Sequence, residues 1–347
     1  MVILSVAYPL LPVSQDASGG AEQILFLMER ELVRSGHESI VIGAKGSQVS
    51  GKLLETPVFT GEITDLVRQD AQRAHLRALE QALDQYSIDL IHFHGLDFYS
   101  YLPARSAPTL ATLHLPPSWY PPSIFDLPGI QLNCVSRTQA AAVPAKKLPY
   151  ITNGIDTRQF QAYSGKRHHL LWLGRVCPEK GLHIALEVAH RLDLPMIAAG
   201  AVHPFRYHQD YFAHRVQHLL DGKRQYVGPA CLEKKKQLLA EACCVLIPSL
   251  APETSSLVAM EALSSGTPVI AFRSGALPEV VEHGLTGFIV DSEDEMAKAV
   301  KRTHEVSPET CRAEAKLRFD VRRMVEEYLD LYTRILHKQD ATSCSLR

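Results

Sequence analysis

Short apolar runs alternate with helix-spaced apolar positions along nearly the whole chain. In the first half, Val2-Ile3-Leu4-Ser5-Val6-Ala7 reads as a strand buried on both faces. A polar glycine loop follows, then a helix over about 21–35 with Ile24, Leu27, Met28 and Leu32 on one face. Gly36 stands where a left-handed cap belongs. Residues 39–43 predict the next strand. Leu66, Val67, Ala71, Ala74, Leu79 and Leu83 predict a long helix, and 90–93, 109–113 and 132–135 predict further strands.

The pattern restarts at His169-Leu170-Leu171-Trp172-Leu173-Gly174. A helix over 181–192 follows, and strands are expected at 196–199, 226–227, 244–247, 269–272 and 288–290, with helices between them. Alternation of this kind predicts α/β architecture with parallel sheets, doubly wound, in two successive halves. Turn residues cluster at Asn153-Gly154-Ile155-Asp156 and on to Tyr163-Ser164-Gly165-Lys166, the best linker. The expected domains are therefore 1–160 and 161–320, with 321–347 a terminal helix and tail. Positions 321–337 read as one amphipathic helix, and 339–347 as a frayed end. Two such domains imply a cleft lined by the carboxyl ends of both sets of strands, where ligands of this architecture bind.

Composition narrows the classes. The 347 residues suffice for two cores, and 36 Lys and Arg against 38 Asp and Glu leave a net charge of −2, so no nucleic-acid partner is expected. Seven Cys without a C-x-x-C pair argue against a disulfide framework and for a reducing, cytoplasmic setting. The apolar start has no Lys or Arg before Arg30, and Pro9 and Pro12 interrupt it, so it reads as a strand and not a signal peptide. No run of 18 apolar residues predicts a spanning helix.

Candidate chemistry falls at four predicted strand ends. Ser18-Gly19-Gly20-Ala21-Glu22 opens the first helix, where free amides favour an anion; it is not G-x-G-x-x-G, which disfavours a nicotinamide dehydrogenase. Gly174-Arg175-Val176-Cys177-Pro178-Glu179-Lys180-Gly181 places two cations in one loop, suited to a departing phosphate; the plain alternative pairs Arg175 with Glu179. In Pro252-Glu253-Thr254-Ser255-Ser256-Leu257-Val258-Ala259-Met260-Glu261, Ser255 or Ser256 can cap a helix and leave first-turn amides for phosphate. Glu261, in apolar company, needs donors: sugar or ribose hydroxyls, or else an ion pair with Arg or Lys. Glu253 is either a sugar contact or an exposed loop acid. His92 and His94 share a strand face, and His94 and His114 sit at strand ends; no carboxylate or Cys completes a metal set with them.

With these motifs in view, the sequence resembles the family-four retaining glycosyltransferases of the two-domain GT-B fold. The likeness is densest in Glu253, seven intervening residues and Glu261, then Gly266-Thr267-Pro268-Val269-Ile270, Gly275-Ala276-Leu277-Pro278-Glu279 and Gly284-Leu285-Thr286-Gly287-Phe288. Gly19-Gly20-Ala21-Glu22, Asn153-Gly154-Ile155-Asp156 and the loop 174–181 support it. The resemblance implies two Rossmann-like domains facing across a cleft, with the final helix crossing back to the first. It implies that Arg175, Lys180, Glu253 and His114 are catalytic. Gly20 would bind the donor at the diphosphate, amides near Leu257 and Val258 at phosphate oxygens, and Glu261 at the ribose; Gly19 in the glycine loop, Ser256 at the helix start and His94 at its strand end are counted with the donor site by position. Where family members commonly read Glu-Pro-Phe-Gly, this chain has Glu253-Thr254-Ser255-Ser256, which leaves the identity of the transferred sugar open.

The expected reaction moves a hexosyl unit from a nucleotide-diphosphate sugar to a hydroxyl acceptor with retention, by front-face departure and attack. No cofactor or metal is expected, since there is no Asp-x-Asp; a UDP-sugar is taken ahead of a GDP-sugar. Alternatives are a nucleotide-sugar epimerase or hydrolase, and a non-catalytic nucleotide-sugar binding protein. The acceptor, a carbohydrate, lipid or small molecule, is expected at loops 9–15 and 116–127. There Trp119, Tyr120 and Phe125 suit stacking on a sugar or peripheral contact with a membrane lipid.

Overall fold

A computed structural model describes residues 1–17, 19–59, 61, 63–104 and 107–344, with side chains through Lys338 in the last helix. It divides into two compact units, Met1–Asn153 with Val321–Arg347, and Gly154–Asp320. The division falls inside the expected linker but at 153/154, not 160/161. The segment from 321 onward counts with the first unit and forms no part of its own.

The first unit comprises β1 (Val2–Val6), α1 (Gly20–Arg34), β2 (Glu38–Ala44), β3 (Lys52–Thr56), α2 (Asp65–Gln85), β4 (Leu90–Phe93), β5 (Thr109–Leu113), β6 (Ile130–Cys134) and the short α3 (Arg137–Ala141). The second comprises β7 (His169–Leu173), α4 (Leu182–Arg191), β8 (Met196–Ala199), α5 (Arg206–Tyr211), β9 (Arg224–Tyr226), α6 (Leu232–Glu241), β10 (Ala242–Ile247), α7 (Leu257–Ser264), β11 (Val269–Phe272), α8 (Leu277–Val280), β12 (Gly287–Val290), α9 (Glu293–Val300) and α10 (Pro308–Phe319). The chain then forms α11 (Val321–Cys344).

Both sheets are parallel, and both follow one winding rule. Their orders are β3-β2-β1-β4-β5-β6 and β12-β11-β10-β7-β8-β9. In each, the first and fourth strands of the unit lie side by side, as in β1 against β4 and β7 against β10. Connections leave those two strands in opposite directions, which opens a crevice beyond their carboxyl ends.

The strands read as apolar runs because the sheets are covered on both faces. Ile3, Leu4 and Val6 of β1 and Leu170, Leu171 and Trp172 of β7 are all buried. The exception is β3, whose Lys52-Leu53-Leu54-Glu55 is exposed or half-buried at the sheet edge. Two apolar residues give no strand signal, so the sequence pattern passes over it. Gly36 has φ +82°, the left-handed geometry expected of it, and closes α1 with His37 N–H donating to the Leu32 carbonyl at 3.1 Å.

α11 packs against α1. It buries Met324, Val325, Tyr328, Leu331, Tyr332 and Ile335, the spacing of one helix face. The helix continues through Cys344, past the point where fraying is expected; 345–347 lie outside the described residues. Among the described residues no helix is long and apolar enough to cross a membrane.

Candidate functional site

In the second unit, the loop after β7 is held rigidly. Residues 178–180 make one tight turn, with Lys180 N–H donating to Cys177 O and Gly181 N–H to Pro178 O, both at 3.1 Å. The buried Trp172 indole N–H donates to the Lys180 carbonyl at 3.1 Å. Gly181 has φ +65° and sits against the Pro248 carbonyl, where a side chain would collide. Leu250 N–H donates to Glu179 O at 2.8 Å, so the loops after β7 and β10 are tied together.

That tie brings the two candidate groups into contact. Lys180 Nζ lies 2.6 Å from Glu253 Oε1, and the Ser249 hydroxyl donates to the same oxygen. Glu253 is only 10% exposed at its side chain, so it is not the exposed loop acid of the plainer reading. A second glycine frames it: Gly275, at φ +55°, lies so close to the Glu253 main chain that a Cβ would collide with it. Ala276 N–H donates to Glu253 O at 2.7 Å. The sequence marks Gly275 only as part of a motif; its job is this close approach.

Arg175 is exposed, and Glu179 turns to the Tyr207 hydroxyl. Ser256, not Ser255, is the cap of α7, its Oγ accepting from Ala259 N–H at 3.4 Å. Leu257 and Val258 carry the first-turn amides that a helix cannot satisfy itself. Glu261 faces Lys235 of α6, Oε1 to Nζ 2.5 Å, with side-chain exposures of 7% and 16%. The ion pair weighed above is therefore present, and Lys235 is the partner that sequence spacing leaves unidentified.

In the first unit, Ser18 lies outside the described residues. Gly19 is the N-cap of α1 and makes no side-chain cap; Gly20, exposed, is the first helical residue. Glu22, in the first turn, is buried, and burial raises its carboxyl pKa. A buried acid beside the expected diphosphate amides is a feature the motif alone does not disclose.

His94 follows β4 and His114 follows β5, and the structure brings them together, Nδ1 of His94 to Nε2 of His114 at 3.1 Å. His94 is 3% exposed. Tyr120 is likewise buried and Phe125 half-buried, while Trp119 stays 59% exposed. Among the described residues no three His, Cys, Asp or Glu side chains converge to hold a metal ion.

Burial pushes the His92 and His94 pKa values well down, and His114 down to about 4. The unfolded chain binds these protons from about pH 6.5 downward and the folded chain does not. Stability is thus fully present above pH 6.5 and falls as pH drops toward 4. For His114 alone the loss between pH 7 and pH 5 should be roughly 2 kcal/mol. Urea midpoints at the two pH values, compared with those of His114→Phe, isolate this from Glu22 and Asp97. Burial raises both of those carboxyls, so they act in the opposite direction. Equal pH sensitivity in the variant would refute it.

Comparison with known proteins matches residues 167–305 to the model for glycosyl transferases group 1, and residues 18–132 to that for glycosyltransferase family 4. The D-inositol 3-phosphate glycosyltransferase of Corynebacterium efficiens is 32% identical over 131 residues, 35% of this chain and 31% of that protein. The chain thus spans about a third of the length of such curated relatives. The structure is similar to AviGT4, a glycosyltransferase involved in avilamycin A biosynthesis, with TM-score 0.74, 22% identity and coverage of 97% and 98% of the two chains. It is also similar to Anabaena Alr3699/HepE in complex with UDP-glucose, with TM-score 0.73, 20% identity and coverage of 95% and 99%. With one family model in each unit and the GT-B fold common to these neighbours, the chain belongs to the family 4, group 1 glycosyltransferases.

Proposed function

We propose that this protein transfers a hexosyl unit from a nucleotide-diphosphate sugar, a UDP-sugar before a GDP-sugar, to a hydroxyl acceptor with retention at the anomeric carbon. The observation that carries the reading is the Lys180–Glu253 contact at 2.6 Å in the crevice beyond β7 and β10. A cation for a leaving phosphate and an acceptor for sugar hydroxyls stand side by side there, on loops fixed by Gly181 and Gly275.

In the step proposed, the bond from the anomeric carbon to the phosphate oxygen breaks as the acceptor oxygen bonds to that carbon on the same face. The acceptor's proton passes to the departing phosphate oxygen. Lys180, Arg175 and the first-turn amides of α7 meet the charge that grows there, and Glu253 accepts from hydroxyls of the sugar. By the family resemblance, His114 would stand near the sugar's reacting face. Glu261 holds the ribose by exchanging Lys235 for its hydroxyls, and Gly19 and Gly20 approach the diphosphate. UDP-glucose is bound by the HepE neighbour, which supports trying it first.

The test is a panel of nucleotide-sugars, with and without acceptors, scored by nucleotide diphosphate release in excess EDTA. Release should require an acceptor and should persist in EDTA, because the cations and helix amides need no ion. Release without an acceptor would indicate a hydrolase, and binding without release a non-catalytic binder. Activity abolished by EDTA and restored by Mg²⁺ or Mn²⁺ would overturn the role given to the cations.

A further inference from the structure

A row of buried polar side chains in the first unit has no part in the chemistry above. It begins at Asn133 on β6. Its Nδ2 donates to the Cys134 carbonyl at 2.8 Å, which settles which end of the amide is nitrogen. The same Nδ2 lies 3.2 Å from the Tyr328 hydroxyl of α11, which therefore accepts. Tyr328 in turn has its own hydrogen for Thr112 Oγ1, 3.1 Å away. Thr112 passes the polarity on to His92 Nε2 at 2.8 Å.

An uncharged histidine that accepts at Nε2 carries its hydrogen on Nδ1, and His92 Nδ1 is 2.8 Å from the Tyr332 hydroxyl. Tyr332 donates onward to Met28 Sδ at 3.9 Å. With Tyr328 donating to Thr112 and Thr112 to His92, every group in the row donates in one direction, which gives His92 a single tautomer and a fixed ring. That ring lies against His94, centroids 4.0 Å apart.

His94 is thus held from behind, and Nδ1 faces His114 Nε2 across 3.1 Å. His92 and His94 are buried and His114 half-buried, and all three imidazoles are uncharged near neutral pH, so one hydrogen lies between those two nitrogens. His94 Nε2 has no partner among the described residues. Were His94 to accept at Nδ1, its hydrogen would sit on Nε2 as a buried donor with nothing to bond. Were it to donate, Nε2 would be a bare lone pair. Stranded buried N–H groups are rarer in proteins than under-satisfied acceptors, and this selects the second arrangement.

We propose that His94 is a positioning residue: it donates from Nδ1 to His114 Nε2 and holds His114 as the Nδ1–H tautomer, braced by the row from Asn133 to Tyr332. The consequence for turnover rests on the transfer reading above; the tautomer does not.

The experiment has two arms. Ring-¹⁵N NMR of the wild-type protein, without donor or acceptor, should show His114 unprotonated at Nε2. His94→Phe keeps a ring against His92 but removes both nitrogens, and should shift His114 toward the Nε2–H form. In turnover assays His94→Phe should lower kcat by about tenfold or more with donor KM nearly unchanged. His94→Asn, whose amide lies near the place of Nδ1, should recover most of that loss, and it serves as the probe if the Phe variant does not fold. A wild-type His114 protonated at Nε2 overturns the tautomer. Wild-type kcat in folded His94→Phe overturns the positioning role. If the wild-type protein transfers no sugar, the functional reading fails while the NMR arm still decides the tautomer.

Discussion

Replacing Lys180 by alanine should lower kcat by about 10²–10³, the scale seen when a preorganised charge stabiliser is removed. Donor affinity should change far less, because the charge Lys180 meets is largest as the leaving-group bond breaks. The contact with Glu253 complicates the simple deletion. Loss of the ammonium leaves a largely buried carboxylate with the Ser249 hydroxyl still donating to Oε1. Stability should therefore fall as well, and a thermal melt must accompany the kinetics. Arg175→Ala separates the effects: Arg175 is exposed, so its loss should cost rate without cost in stability. The double variant Lys180→Ala/Glu253→Ala should lose much less than the product of the single losses, since the two groups act as a unit. Normal kcat in a folded Lys180→Ala protein would remove it from the site.

Glu261→Ala should raise the dissociation constant for nucleotide diphosphate by about tenfold to a hundredfold, or roughly 1.4–2.7 kcal/mol. Here the ion pair with Lys235 supplies a rival account, and a second variant divides the two. Lys235→Met keeps the alkyl stem and frees the carboxylate. If Glu261 binds ribose, Lys235→Met leaves affinity unchanged or tighter while Glu261→Ala weakens it. If Glu261 serves only the ion pair, both variants lose stability and neither changes affinity. Calorimetric titration with thermal melts distinguishes these outcomes.

What was legible in the sequence was whatever periodicity or a glycine encodes. Buried parallel strands such as Leu90–Phe93 and Val269–Phe272 announce themselves as apolar runs, and Gly36 announces the end of α1. The edge strand Lys52–Thr56 did not, because a strand exposed on one side needs few apolar residues. At the site, the residue types were readable and their partners were not. Lys180 and Glu253 are 73 positions apart, and Lys235 and Glu261 are 26 apart on different helices, so spacing carries no signal of either pair. The same holds for His94 and His114, whose meeting follows from β4 and β5 being neighbours. The place of His94 at a strand end is legible in the sequence; its burial is not.

The membership of α11 in the first unit sets the order of completion during synthesis. Gly154–Asp320 is one uninterrupted stretch, and it is closed near both ends by Ile155 N–H donating to Phe319 O at 2.8 Å. It has all its parts as soon as it leaves the ribosome. The first unit does not: Tyr328 and Tyr332, which complete the bonding of Thr112 and His92, are made after the whole of the second unit. The usual vectorial order, in which the earlier-made domain finishes first, is inverted. Until α11 emerges, the nascent first unit carries the uncovered face of α1 and a His92 without its Tyr332 partner, and a chain halted anywhere in 154–320 leaves it so.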